Sequence, residues 1–187
     1  MTQFPMPRRV VMLGVATAAS LPMRDAITQP KMPEGADGFV MVQTHHAMVA
    51  ETLDALTAAN ATRPRTAALN LLGYQLCAPS HAEENTIYPM LATAGIGDSD
   101  SDMLYLDQAH AKVMNAQLDT WAALEITGPE FAQTARKLRA AGLRHAKQDE
   151  EADLYPTPRA KLSQTQSSLL TSNDMLQFAA VKPMKAV

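Results

Sequence analysis

Four stretches of this chain repeat apolar residues every three or four positions, and each carries a histidine or a carboxylate in the same register. Steps of three and four mark one face of an α-helix. The first stretch runs from about Gly38 to Asn60, with Val42, His46, Val49, Leu53 and Leu56 in line; His45, beside them, is expected to face solvent or a neighbouring helix. The second begins near Thr66 and aligns Leu72, Leu76, Pro79, Glu83 and Ile87. The third, about Ser101 to Ile126, aligns Leu106, His110, Val113, Leu118 and Trp121, which turns His110 inward. The fourth, about Glu130 to Tyr155, aligns Phe131, Ala135, Leu138, Ala141, His145, Asp149 and Ala152. Burying several ionisable groups costs several kcal/mol each unless something pairs with them. Four helices that each bring such a group to one interior therefore describe a metal-binding bundle.

The connections agree with that reading. Thr62-Arg63-Pro64-Arg65, the Gly, Asp and Ser-rich segment from Gly95 to Asp102, and Thr127-Gly128-Pro129-Glu130 read as turns or loops. Short links force neighbouring helices to run antiparallel, so an all-α, up-down-up-down antiparallel four-helix bundle is expected over residues 38–160. Residues 1–37 form an N-terminal arm and linker, and residues 161–187 a tail with a short closing helix from Asn173 to Val181 after a flexible polar stretch, Ser163 to Ser172. Pro79 predicts a kink between Ala78 and Ser80, Pro89 an end or second bend, and Pro156 with Pro158 a bend or stop of the fourth helix. With 187 residues, 47% of them hydrophobic, one domain with a substantial core is expected. Aromatics make up only 5% of the chain and Met numbers 12, which favours helices over sheet.

Charge and cysteine usage exclude several functions. A net charge of -3 without a basic run removes the electrostatic drive for binding nucleic acid. Cys77 is the single cysteine, so neither an intramolecular disulfide nor a thiolate-rich metal site is available, and any metal is held by His and carboxylate. The methionines are scattered and read as core filler rather than copper ligands. Arg8-Arg9 followed by the apolar run Val10 to Ala19 is too short for a membrane span but has the order of a twin-arginine export signal. A cytoplasmic protein is expected, with a periplasmic one as the alternative if residues 1–20 direct export.

His145 and Asp149 stand one helical turn apart and can share a cation without bending the backbone. With His46 in Thr44-His45-His46-Ala47-Met48-Val49, the segment Glu83-Glu84-Asn85-Thr86-Ile87-Tyr88-Pro89, His110 in Asp107-Gln108-Ala109-His110, and His145 with Asp149-Glu150-Glu151 before Tyr155-Pro156, the stretch from about Gly38 to Pro156 resembles the hemerythrin-like HHE cation-binding family. The resemblance implies two non-haem irons bridged by carboxylates inside the bundle, and binding of dioxygen, nitric oxide or peroxide. Spacing alone permits zinc or manganese as well.

The chain departs from the family's pattern at Pro79, where a histidine one turn before Glu83 is expected, and at Leu106 and Met114, one turn either side of His110. His81 lies roughly 160° around a regular helix from Glu83, so either a rotated His81 and Glu84 pair or Glu83 alone serves the site; the apolar face favours Glu83. The expected ligands are His46, Glu83, His110, His145 and Asp149, which suffice for a single iron or a partly hydrated pair. Counting back from Tyr155-Pro156 favours Glu150 over Asp149, but the same-face rule favours Asp149. The expected function is to bind, sense or scavenge a small redox ligand, with a metal ion and a diatomic or peroxide molecule as partners; a homodimer is compatible with it. The alternatives are a non-haem diiron peroxidase or oxidase, and a helical interaction protein with a degenerate metal site.

Overall fold

A computed structural model of the chain describes residues 37–59, 61–93 and 98–182, and the described residues are all-helical, with no strand. The arm and the export segment expected over residues 1–36 lie outside them. Helix α1 spans Gly38–Ala58, and its start is fixed by Asp37, whose Oδ1 accepts the Val40 amide at 3.0 Å. Helix α2 spans Thr62–Asn85, α3 Ile87–Thr93, α4 Asp98–Ala123 and α5 Pro129–Arg144. A π-helical segment, His145–Leu154, continues α5. The short α6, Pro156–Lys161, and the longer α7, Gln164–Ala180, complete the chain.

The four long helices α1, α2, α4 and α5 contact one another in a ring: α1 packs on α2 and α5, and α4 packs on the same two. Polar pairs tie neighbouring helices together. Glu84 of α2 accepts from Lys112 of α4 at 2.9 Å, and Arg144 at the end of α5 reaches Asp107 near the start of α4 at 2.9 Å. Helix α7 lies across α1 and α2.

Two apolar clusters fill the interior. One is Leu53, Leu56, Leu69, Leu72, Leu118, Phe131 and Leu138 with small alanines between them. The other, toward the opposite end of the helices, is Phe39, Val42, Ile87, Tyr88, Leu91, Leu104 and Tyr155. At the first end α4 closes with Glu125 at φ 59°: the Ile126 amide donates to the Trp121 carbonyl at 2.8 Å and the Glu125 amide to the Ala122 carbonyl at 3.1 Å, the pair of bonds that satisfies a helix C-terminus.

Several boundaries differ from expectation for identifiable reasons. Thr62–Arg65, expected as a turn, is already helical, because proline is tolerated in the first helical turn, where no intrahelical donor is needed. Helix α2 runs unbroken through the buried Pro79 and ends instead at Thr86, whose backbone adopts φ -133° and ψ -62°. The Thr86 hydroxyl lies 2.6 Å from the Ala82 carbonyl and 2.9 Å from Asp174 Oδ1, between which its single proton is shared, holding the break against α7. Residues 164–172, expected to be flexible, belong to α7. Its start is a capping box in which the Ser163 side chain accepts the Gln166 amide and the Gln166 side chain accepts the Ser163 amide. The largest correction concerns α4. Its buried side chains are Leu104, Gln108, Ala111, Asn115, Leu118 and Ala122, whereas Leu106, His110 and Val113 are exposed. Two competing stripes run along this helix, and the more apolar one faces out, while Gln108 on the inner stripe finds polar partners in Glu83 and Tyr88.

Candidate metal centre

Three helical elements deliver four ionisable side chains to one point. Helix α1 brings His46, 9% exposed; α2 brings Glu83, 2% exposed; the π segment brings Glu150, fully buried, and His145 at its edge. His46 Nε2 lies 2.8 Å from Glu150 Oε2 and 3.8 Å from Glu83 Oε1. His145 Nε2 lies 3.3 Å from Glu150 Oε1, and its other nitrogen, Nδ1, lies 3.8 Å from Asp107 Oδ2, a carboxylate that also takes the Arg144 guanidinium.

The π geometry explains how residue 150 meets residue 145. In a π-helix the amide of residue i+5 bonds to the carbonyl of residue i, so each turn takes more residues than in an α-helix. The bond from the Tyr155 amide to the Glu150 carbonyl, 2.8 Å, has this spacing. The wider turn carries Glu150 beneath His145, and the side chain of Asp149 lies outside the described residues. Insertions of this kind recur at functional sites, where they re-aim a side chain at a cost in helix stability.

A second layer holds the carboxylates. The Tyr88 hydroxyl, from α3, donates to Glu150 Oε1 at 2.6 Å and lies 3.2 Å from Glu83 Oε2. Gln108 of α4 donates through Nε2 to Glu83 Oε2 at 2.6 Å and to the Tyr88 oxygen at 2.5 Å. The break at Thr86 is what allows this: it starts a new helix at Ile87 and turns Tyr88 back toward Glu83.

The two carboxylates differ in charge state. Burial, followed by the charge of Glu150, pushes the Glu83 carboxyl well above the usual range, and His46 only partly offsets this. Burial also opposes ionisation of Glu150, but His145 and His46 together outweigh it and hold its carboxyl well below the usual range. With no cation, one negative charge is therefore kept on Glu150, and Glu83 carries a proton. Tyr88 has one hydroxyl proton, which goes to the nearer and charged Glu150; its 3.2 Å contact with Glu83 is then served by the Glu83 proton. Burial and the neighbouring carboxylates raise Tyr88 well above its ordinary value, so it stays protonated.

The donor set fits a cation. One nitrogen of His46 and one oxygen each of Glu83 and Glu150 lie within 4.8 Å of one another, so these residues could hold a metal ion. Bonds of about 2.1 Å in a tetrahedral site place donors about 3.4 Å apart, so closure around an ion needs side-chain shifts on the order of 1 Å. Glu83 Oε1 is buried without a hydrogen bond, and Glu150 Oε2 has only the ion-pair contact with His46, so both are acceptors that a cation would satisfy. A cavity of about 60 Å³ adjoins the cluster between His46, Gln108 and His145, and Val49, Leu53, Leu76 and Pro79 form part of its largely apolar wall.

The structure thus brings together His46, Glu83 and His145 of the expected ligands and adds Glu150. It does not bring His110 to them: that side chain is exposed, because the face of α4 turned to the site carries Gln108 and Ala111 instead. His45, expected outside, is 2% exposed and stacks on Phe178 of α7 with ring centroids 4.4 Å apart. Its pKa falls to about 3 through burial and then the neighbouring His46, so it is neutral and packs as an aromatic ring. Gln108 had no signal in the apolar pattern. Tyr88 had one, as an aromatic residue five positions after Glu83 and just ahead of Pro89, paralleling Tyr155-Pro156 five positions after Glu150. No family model, no curated protein and no solved structure matches this chain.

Proposed function

We propose that this chain is a metal-binding helical bundle of the hemerythrin-like kind that binds, senses or scavenges a small redox ligand, dioxygen, nitric oxide or peroxide, at non-haem iron held by His46, Glu83 and Glu150, with His145 beside them. The observation that carries the reading is the convergence of His46, Glu83 and Glu150 at one buried point, where Glu83 keeps a carboxylate oxygen that no hydrogen bond satisfies. The ring of contacts among α1, α2, α4 and α5 is compatible with an up-down-up-down antiparallel bundle. A mixed imidazole and carboxylate set suits iron, manganese or zinc, and the resemblance favours iron. One ion fits better than two, because Pro79, Ala111 and Val49 border the cavity where a second set of donors would be needed.

Iron bound here would supply a redox-active Lewis acid for the small ligand. The chain's own residues do the rest. Leu53, Leu76 and Val49 keep the adjoining space dry, Tyr88 orients Glu150, and Gln108 orients Glu83. His145, with Asp107 at Nδ1, closes the site from the α5 side.

A second reading has its own support. Tyr88 and Gln108 already donate to both carboxylates, so the cluster could serve as a polar joint in a helical interaction protein with a degenerate site. Chain loaded anaerobically with ferrous iron and then mixed with dioxygen, nitric oxide or peroxide separates the readings. The first expects a new visible absorption band with at least one of the three, reversed on removing the gas if the ligand is carried. Repeated consumption of peroxide with an added electron donor would instead indicate the peroxidase alternative. No spectral change with any of them would contradict ligand binding.

A further inference from the structure

Helix α4 turns an uncharged band toward solvent. Met103, Leu106, Val113 and Leu124 are 53%, 50%, 66% and 65% exposed. Ala109, Ala116 and Ala123 run beside them at intervals of seven and are exposed as well. At 100° per residue these positions, with His110, Gln117 and Thr120 between them, span about 160° of the helix, and no Asp, Glu, Lys or Arg falls within the band from Met103 to Leu124. Asp102 marks its N-terminal limit. A solvent-facing helix surface normally carries the charged side of an amphipathic helix, and an apolar stripe wider than about 100° is the side that is covered. Among the described residues α4 packs on α2, α3, α5 and the π segment through its other face.

We propose that this band is the interface of a homodimer in which α4 of two copies pack antiparallel about a two-fold axis near Val113. The band covers 21 steps of 1.5 Å, about 31 Å of straight helix. Its occupant must match that length without burying charge. The longest proline-free run within residues 1–36 is 14 residues, 8–21, and it opens on Arg8-Arg9, so in sequence it matches the band in neither length nor charge. Residues 183–187 are only five. A second α4 matches in both respects. The steps of three and four from Met103 through Leu106 and His110 to Val113 are those of a helix-on-helix seam, and the alanine column lets the two backbones approach closely. The centre of the band falls between Val113 and Met114, so an antiparallel crossing sets Met103 over Leu124 of the partner subunit and the most exposed member of the stripe, Val113, beside the axis. An isologous contact of this kind is closed by symmetry. Its footprint, on the order of 400–500 Å² per copy against about 800 Å² for a standard interface, is that of a weak, concentration-dependent dimer.

Sedimentation equilibrium of the full chain over about 1–200 µM tests this. The expected result is a molar mass rising toward twice 20.2 kDa with concentration. Val113→Asp places two like charges at the axis and should weaken association at least about 100-fold while leaving the circular-dichroism helix signal unchanged, since Val113 is exposed in the single chain. In a Cys77→Ser background, Val113→Cys should cross-link two chains on mild oxidation, and Cys77→Ser alone should not. A chain that stays monomeric to the top of the range overturns the proposal. So does a dimer that Val113→Asp leaves intact, or a Val113→Cys chain that fails to cross-link while the dimer forms.

Discussion

The same helices build two different interiors along their length. Around Leu53, Leu69, Leu118 and Leu138 the core is an apolar cluster, and α1, α2, α4 and α5 are regular. Around His46, Glu83 and Glu150, two backbone irregularities converge: the break at Thr86 and the π segment from His145. Each one serves the polar cluster. The break turns Tyr88 onto the carboxylates, and the π turn brings Glu150 under His145. Hydrophobic packing is non-directional and is satisfied by regular helices, whereas ligation and buried hydrogen bonds demand specific directions, so backbone regularity yields where the chemistry is.

The largest effect that separates the two regions is a cavity in the regular one. Leu118→Ala should destabilise the chain by about 3–4 kcal/mol and leave metal binding per folded chain unchanged, read by urea unfolding with and without added metal. Equal loss of metal binding would mean that the two interiors are one cooperative unit at the site.

Next in size is a pH effect at the polar end, where Asp174 of α7 is fully buried with one oxygen on Thr86 and the other without a hydrogen bond. Burial raises its pKa from 3.8 to about 6, only partly offset by the Thr86 bond. Between these values the folded chain holds a proton that the unfolded chain has released, so stability falls as pH rises through this window and is flat on either side. Compared with Asp174→Asn, the natural chain should lose on the order of 2–3 kcal/mol between about pH 4 and 6.5. Parallel stability profiles of the two proteins would show that Asp174 is solvated.

A smaller effect sharpens the contrast within the cluster. Because Glu83 carries a proton when no cation is present, Glu83→Gln replaces it with a neutral mimic and should change metal-free stability by less than about 1 kcal/mol while weakening metal binding. A loss of several kcal/mol in metal-free protein would indicate that Glu83 is ionised there.

How much of this was legible in the sequence divides along the same line. Helix faces whose inward residues are apolar throughout, such as Val42, Leu53 and Leu56 in α1 and Phe131, Ala135 and Leu138 in α5, read correctly from spacing. Helix α4 did not, because its inner face carries Gln108 and Asn115 and its outer face is the more apolar, which sent His110 to the wrong side. Asp149 was preferred over Glu150 because the same-face rule assumes 3.6 residues per turn, and no local signal announced the π segment. The S-x-x-Q pattern from Ser163 to Gln166 was readable as a helix start and would have extended α7 to its full length. Pro79 argued for a kink, but the helix runs through it and the break falls seven residues later, at Thr86.

The most direct test of the account is the metal content of full-length chain purified from cells grown with ample iron, measured beside Glu150→Gln prepared identically. The account predicts close to one ion per natural chain and less than about 0.2 in the variant, because the fully buried, ionised carboxylate that faces both histidines has been lost. Metal below about 0.2 per natural chain, or equal amounts in both proteins, would contradict it.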